Sequence, residues 1–221
     1  MKINNFQLKP ILLSFILVII MTGLACAQNI RLNAYSAYVF DDRVDSYYDP
    51  TNYYDGKIKG GFQWGIGLEY MLYETKGIEL RYFRQDTKAP MNYYLDGIQY
   101  TEFDLGLNYI LLGGSNYFNL TNEMVEPYLG AGIGMAIFSI KNPESGRSSS
   151  AEKFAWNIKA GTNIWVTDRV GIKLHAEVIS AVQAAGGGFY FGTGGSGAGI
   201  STYSSMYQWS LGGGLTFKLG N

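Results

Sequence analysis

The sequence predicts an all-β chain: an eight-stranded antiparallel up-and-down transmembrane β-barrel, preceded by a cleaved signal peptide. Three observations predict it. After residue 28 the apolar residues recur with period two, the spacing at which alternate side chains of a strand share one face. The composition is that of strands and turns, with 18 Tyr, 12 Phe and 29 Gly against 5 Pro. The connections between the periodic stretches alternate between long and short, as they do in a barrel whose strands run up and down through a membrane.

Residues 1–27 read as the leader. Lys2 and Lys9 precede an apolar run from Ile11 to Met21, shorter than the roughly 20 residues a spanning helix needs, and Ala25-Cys26-Ala27 has the small-residue pattern of a cleavage site after Ala27. The competing reading makes Cys26 a lipid-modified N-terminus, but Gly23 stands where a lipobox usually has Leu. Residues 28–221 then form one barrel without cysteine. The leader holds two of the 17 basic residues and none of the 18 acidic ones, so the mature chain is slightly acidic and lacks the basic footprint of a nucleic-acid binder.

The expected strands follow in order. The first, Ile30 to Phe40, sets Leu32, Ala34, Ser36, Tyr38 and Phe40 against Arg31, Asn33, Tyr35 and Ala37. A polar segment, 41–60, repeats Tyr-Tyr-Asp at Tyr47-Tyr48-Asp49 and Tyr53-Tyr54-Asp55 and reads as a loop. The second strand, Gly61 to Leu72, sets Phe62, Trp64, Ile66 and Leu68 against Gln63, Gly65, Gly67 and Glu69. A short turn at 73–76 leads to the third, Gly77 to Gln85, with Glu79 and Arg81 on its minor face. After a loop at 86–95, the fourth, Ile98 to Leu112, sets Phe103, Leu105, Leu107, Tyr109 and Leu111 against Glu102, Asp104, Gly106 and Asn108. The fifth, Glu126 to Ile140, opposes Leu129, Ala131, Ile133, Met135 and Ile137 to Gly130, Gly132 and Gly134. A Ser- and Gly-rich loop, 141–153, precedes the sixth strand, Phe154 to Val166. A tight turn at 167–169 leads to the seventh, Val170 to Val182, and a Gly-rich loop at 184–204 to the eighth, Ser205 to Leu219. With both termini in the periplasm, the four long loops lie outside the cell.

Period two alone does not say which face is inside. Strands of ten or more residues and aromatic residues near the ends of the apolar rows fit a bilayer crossing with interfacial girdles. The minor faces then line the lumen and place there Arg31, Glu69, Glu79, Arg81, Glu102, Asp104, Lys159, Lys173, His175, Glu177 and Lys218, with acids and bases in equal number. An eight-stranded barrel has room only for side chains, and unpaired interior charge is costly. These residues are therefore expected to form a paired network that plugs the lumen. The glycine row of the fifth strand is expected to make room for them, so that Gly132→Arg is better tolerated than Ile133→Arg, where a charge meets lipid at a cost of roughly 2–4 kcal/mol.

The leader, the eight alternating strands, the segment Pro127-Tyr128-Leu129-Gly130-Ala131-Gly132-Ile133-Gly134 and the ending Ser210-x-Gly212-x-x-Leu215-x-Phe217 resemble the small outer-membrane barrels of Gram-negative bacteria, a porin-like group that includes OmpX and the OmpA transmembrane domain. The resemblance covers residues 28–221. It implies a place in the outer membrane, contact with outer-membrane lipid and lipopolysaccharide, insertion by the barrel assembly machinery through the last strand, and a monomer. That ending departs from the usual form, because Lys218 to Asn221 follow the aromatic residue.

Among chemistries, a Ser/His/Glu hydrolase would need Ser180 beside His175 and Glu177, but Ser180 has the opposite parity, and no catalytic residue is assigned. The aspartates at 41, 42, 45, 49 and 55 lack the EF-hand spacing, and the glycine runs at 186–188 and 192–195 are followed by no helix to bind phosphate. No metal or cofactor is expected. Tyr47, Tyr48, Tyr53 and Tyr54 make the first loop a candidate contact surface for an extracellular partner. The expected role is structural or in cell-surface interaction. A narrow porin and a lipid-modifying enzyme are the alternatives.

Overall fold

The computed structural model describes residues 29–49, 52–94, 98–144, 146–182, 188–190, 197–199 and 206–220. The leader and Cys26 lie outside the described residues. The strands are β1 (Ile30–Val39), β2 (Asp42–Asp49), β3 (Asn52–Ile58), β4 (Gly61–Tyr73), β5 (Lys76–Tyr94), β6 (Ile98–Tyr117), β7 (Val125–Lys141), β8 (Ser148–Trp165), β9 (Val170–Val182), β10 (Gly188–Tyr190), β11 (Gly197–Gly199) and β12 (Met206–Lys218). Eight of them, β1, β4 to β9 and β12, pair antiparallel with their neighbours in chain order. The ring closes where β1 meets β12, from Arg31 opposite Lys218 to Val39 opposite Ser210. Closure leaves the ring without a free edge, the arrangement that satisfies backbone groups in lipid.

All four segments expected to be long loops contain strand: in 141–153 the β7–β8 ladder runs on to Lys141 opposite Ser148, and 184–204 holds the short β10–β11 pair. The stretch 41–60 contains the β2–β3 hairpin, in which Tyr47 lies opposite Tyr53, and β3 pairs with the far end of β5 from Tyr54 opposite Tyr93 to Gly56 opposite Met91. The β5–β6 hairpin runs unbroken from Lys76 opposite Asn116 to Tyr94 opposite Ile98, taking in most of 86–95. Alternation continues through it: Ala89, Met91 and Phe103 are buried while Lys88 and Asp104 are exposed, so the ladder outlasts the bilayer crossing because an inner face remains to be covered. The side chains of Tyr47, Tyr48, Tyr53 and Tyr54 lie outside the described residues.

The outer wall is a belt of exposed apolar side chains that includes Ile66, Leu68, Leu80, Leu112, Ile133, Ile158, Leu174 and Leu211. Aromatic residues rim it. Phe40, Phe62, Trp64, Phe154, Tyr207 and Trp209 stand toward the long-loop end, and Tyr70, Tyr73 and Phe118 toward the short-turn end. An exposed belt of this kind, fatal to solubility in water, is what a transmembrane barrel presents to lipid. Leu129, Ala131, Ile133 and Met135 belong to it, and Gly130, Gly132 and Gly134 face inward.

One strand reverses the expected faces. On β6, Phe103, Leu105, Leu107, Tyr109 and Leu111 are buried in the lumen, and Asn108, Ile110 and Leu112 point outward. Register explains the choice. Ile110 and Leu112 lie opposite the outward Tyr82 and Leu80, whereas Tyr109 and Leu107 lie opposite the inward Phe83 and Phe138. A one-residue slip would put Glu102 and Asp104 in the core and strand Phe103, Leu105 and Leu107 in water.

Candidate functional site

Inward-facing residues divide the lumen into two zones. Toward the short-turn end lies a network of ions that crosses the barrel. Glu79 on β5 accepts hydrogen bonds from Lys159 Nζ on β8 (2.5 Å), Asn33 Nδ2 on β1 (2.6 Å) and the Tyr35 hydroxyl, with Arg81 Nε 3.7 Å away. Arg81 Nη1 donates to both oxygens of Glu177 on β9, at 2.9 and 3.0 Å, and Asn157 Nδ2 donates to the same carboxylate at 2.8 Å. Glu69 accepts from the Tyr117 hydroxyl and from Asn33. Near the end of the barrel, both terminal nitrogens of Arg31 donate to Glu126, at 2.8 and 3.0 Å, and Asn163 donates to it at 2.7 Å. Glu79, Arg81, Lys159 and Glu177 are each at most 2% exposed. Seven strands, β1 and β4 to β9, thus supply groups that no one of them could bury alone, which is the condition under which buried charge is tolerable.

The remaining cations rest on aromatic rings. Lys173 Nζ is 4.5 Å from the centre of the Tyr128 ring, and Lys218 Nζ is 3.9 Å from that of Trp165. Such contacts stabilise a cation through the ring quadrupole. The alternation of glycine with long side chains has its reason here. A Cβ at Gly130 would stand 2.8 Å from Lys159 Cε, and one at Gly161 would stand 2.6 Å from the Tyr128 hydroxyl, so neighbouring strands already fill that space. A Cβ at Gly132 would lie 2.7 Å from Asn157 Oδ1 and 2.9 Å from the Leu112 carbonyl oxygen. Position 132 faces the lumen as expected and its neighbours fill the space glycine leaves, but backbone as well as side chain crowds it, so an added side chain is costly there too, and the comparison with Ile133→Arg stands as an expectation.

Above the ions the lumen is apolar. Phe83, Phe103, Leu105, Leu107, Tyr109, Phe138, Ile140, Ile179 and Met206 form one buried cluster. Within it Tyr109 donates its hydroxyl hydrogen to Gln208 Oε1 at 2.6 Å, and Gln208 Nε2 donates to Gln85 Oε1 at 3.2 Å.

Two residues expected in the lumen network are not in it. Glu102 and Asp104 face outward from the long-loop end of β6, because the inner positions beside them are taken by Phe103 and Leu105. Glu102 accepts from Lys59 at 2.7 Å and Lys88 at 2.6 Å. Those two hydrogen bonds hold its carboxyl down at about 2. Glu126 takes an interior place instead. The sequence signal is its parity with Gly130 and Gly132, but as the first residue of the expected strand, Glu126 to Ile140, a carboxylate fits the preceding turn as well as the lumen. Arg31, Glu69, Glu79, Arg81, Lys159, Lys173, His175, Glu177 and Lys218 all point inward.

His175 packs edge-on against the Tyr35 ring, 5.4 Å between centres, and neither of its ring nitrogens has a hydrogen-bond partner among the described residues. Ser180 lies on the outer face of β9, opposite Trp156 and Tyr207, whose rings are in edge contact at 6.3 Å. A nucleophile–base pair of these two is therefore separated by the barrel wall. At the base of the β2–β3 hairpin, Asp41 accepts from Lys57 Nζ at 2.6 Å and from the Gly60 amide. Asp42 accepts from the Tyr207 amide at 2.9 Å, while its burial pushes its carboxyl up to about 6.

No family model matches the chain, and no curated protein matches its sequence. Solved structures do match its fold. Neisserial surface protein A superposes with a TM-score of 0.55 at 15% identity, covering 86% of this chain and 96% of that one. The outer membrane protein OprG from Pseudomonas aeruginosa gives 0.53 at 13% identity, again covering 86% of this chain and 96% of that one. With its closed ring and apolar belt, the chain has the fold of the small eight-stranded outer-membrane β-barrels.

Proposed function

We propose that the protein is a non-enzymatic integral outer-membrane protein with a structural or cell-surface role, its lumen closed to solutes. The observation that carries this reading is the succession of two buried layers along the barrel axis: the ionic network around Glu79 and Glu177, then the apolar cluster around Phe103 and Leu107. The short-turn end faces the periplasm and the long-loop end the medium, where the β5–β6 hairpin and the β2–β3 hairpin extend the wall. The protein works as a monomer in contact with lipopolysaccharide, and the last strand, β12, is the segment presented to the assembly machinery. An extracellular partner of unspecified identity meets the tyrosine-bearing hairpin.

A second reading, a narrow channel, draws on one observation. In the ionic layer His175, Tyr128 and Arg81 Nη2 keep hydrogen-bonding capacity that no described residue uses, which suits water at that level. In the apolar layer above, Gln85 Nε2 is likewise unpartnered among the described residues, but the Phe, Leu and Ile side chains around it offer water no continuing chain of partners.

Fractionation and gel mobility test the architecture: the protein partitions with outer membranes and migrates differently boiled and unboiled. A soluble protein with one mobility overturns it. Removing residues 44–56 tests the surface role. The barrel persists and binding to neighbouring cells falls, whereas undiminished binding moves the contact surface elsewhere. Loss of lipid hydrolysis in His175→Ala would establish the enzyme reading instead.

A further inference from the structure

The ionic layer of the lumen does not balance. With Glu102 and Asp104 outside the wall and Glu126 within it, the layer sets Arg31, Arg81, Lys159, Lys173 and Lys218 against Glu69, Glu79, Glu126 and Glu177, five bases to four acids among the described residues. Three ion pairs, Arg31–Glu126, Arg81–Glu177 and Lys159–Glu79, use three of each sign. Glu69 is held by the neutral donors Tyr117 and Asn33. Lys218, at the periplasmic end, is partly exposed over the Trp165 ring. Lys173 is 1% exposed, and among the described residues its ammonium meets ring faces but neither a carboxylate nor any hydrogen-bond acceptor.

Other unused donors gather around that ammonium. Lys173 Nζ lies 4.5 Å from the centre of the Tyr128 ring and 5.9 Å from that of Tyr35. The Tyr128 hydroxyl, itself without a described partner, leans across β8 into the space over Gly161, where an added Cβ would stand 2.6 Å from it. Gly161 is the register partner of His175, whose two ring nitrogens are unpartnered and whose ring packs on Tyr35. Lys173, Arg81 and Lys159 are the charges that bear most on that imidazole, ahead of Glu79. Unused acceptors are neutral amide oxygens: Asn163 Oδ1, on the register partner of Lys173, and those of Asn33 and Asn157. A neutral oxygen accepts a hydrogen bond but does not offset a buried positive charge.

We infer that the ionic layer is a binding site for a halide ion, held by the Lys173 ammonium, the Tyr128 hydroxyl and a ring N–H of His175. One negative charge brings the layer to neutrality, and a spherical acceptor takes donors from several directions at once. Size selects a monatomic anion. An eight-stranded ring has room only for side chains, and the Tyr128 hydroxyl already fills the space over Gly161, so a tetrahedral sulfate or phosphate would displace it. Water satisfies the donors but leaves the ammonium without a counter-charge. The inference rests on the filled lumen proposed above and goes beyond it by giving that lumen a ligand, enclosed as the barrel closes.

The test is urea unfolding of the full chain from lipid vesicles in sodium chloride or bromide, against sodium gluconate at the same ionic strength. The folding constant is expected to rise about tenfold for each tenfold of halide above its dissociation constant, and to stay level in gluconate. Lys173→Met, which keeps an unbranched chain on the same rings, loses the halide dependence. Tyr128→Phe, which keeps the ring and removes only the hydroxyl, moves half-saturation several-fold upward, and Lys218→Met leaves it unchanged. Heat-modifiable mobility checks that each variant folds, and if Lys173→Met does not, Tyr128→Phe carries the test alone. Crystals grown in bromide show an anomalous peak beside Lys173 Nζ and the His175 ring. Equal unfolding in halide and gluconate, or a wild-type halide response in Tyr128→Phe and in a folded Lys173→Met, overturns the site in favour of water. Halide dependence together with steady wild-type conductance overturns the filled lumen and keeps the ion. A wild type with one gel mobility, boiled or not, brings down the barrel and the site with it.

Discussion

The two zones of the lumen are solutions to one problem. Each must fill the inside of a ring too narrow for anything but side chains. Toward the long-loop end the filling is that of an ordinary core, where Phe83, Phe103, Leu107 and Phe138 interlock. Toward the short-turn end the fillers are Glu79, Arg81, Lys159 and Glu177, and their burial depends on partners arriving from across the barrel. An apolar filler tolerates the loss of a neighbour in proportion to the void left behind. A buried ion does not, because removing its partner leaves a bare charge in a place of low dielectric.

That contrast orders the expected effects. The largest is Glu79→Ala, which leaves Lys159, Asn33 and the Tyr35 hydroxyl without their acceptor. It lowers stability by about 3–5 kcal/mol in urea unfolding from lipid vesicles, and pairing it with Lys159→Met recovers part of the loss. Additive losses would show that the ions act independently and erase the distinction between the zones. Next is Leu107→Ala in the apolar zone, at about 2–5 kcal/mol according to the cavity left. The same unfolding measurement applies, with no recovery from any charge change. Gly132→Ala follows, at about 1–3 kcal/mol, because its Cβ overpacks Asn157 and the Leu112 carbonyl. A neutral Gly132→Ala would mean that glycine there is incidental.

The smallest effects belong to the ions outside the membrane. Glu102 has its folded value lowered to about 2, so the Lys59–Glu102–Lys88 cluster contributes fully above the ordinary carboxylate value. It is lost as pH falls from there through about 2. Asp42 has the opposite sign. Its folded value is raised to about 6, so the hairpin base is tightest below the ordinary aspartate value and loosens as pH rises toward 6. Amide exchange of the β5–β6 tip and of the Tyr207 amide, followed over pH 2–7, separates the two. Parallel profiles would refute both assignments.

Much of this was legible in the sequence, for a physical reason. Where one face meets lipid and the other holds charge, as with Arg31, Glu69, Lys159 and Lys173, parity alone assigns the side of the wall. It failed on β6, where the lumen changes from ionic to apolar. There the inward row Phe103, Leu105, Leu107, Tyr109 and Leu111 is greasier than the outward one, and only pairing with Tyr82 and Phe138 fixes the register. Glu126 was hidden by its place at the first position of the expected strand, where a carboxylate fits a turn as well as the lumen. The hairpin in 41–60 was missed because its turn-forming residues gave no sign of the exposed β5 edge it pairs with. Which cation meets which acid depends on distances across the barrel, and a linear pattern does not contain them.

The central claim is that these two layers close the barrel, and ion passage tests it most directly. Purified protein in a planar bilayer should show no steady openings, while Phe103→Ala/Leu107→Ala/Phe138→Ala, which empties the apolar layer above a hydrated ionic one, should conduct intermittently. Stable wild-type openings, unchanged by emptying the apolar layer, would contradict the account.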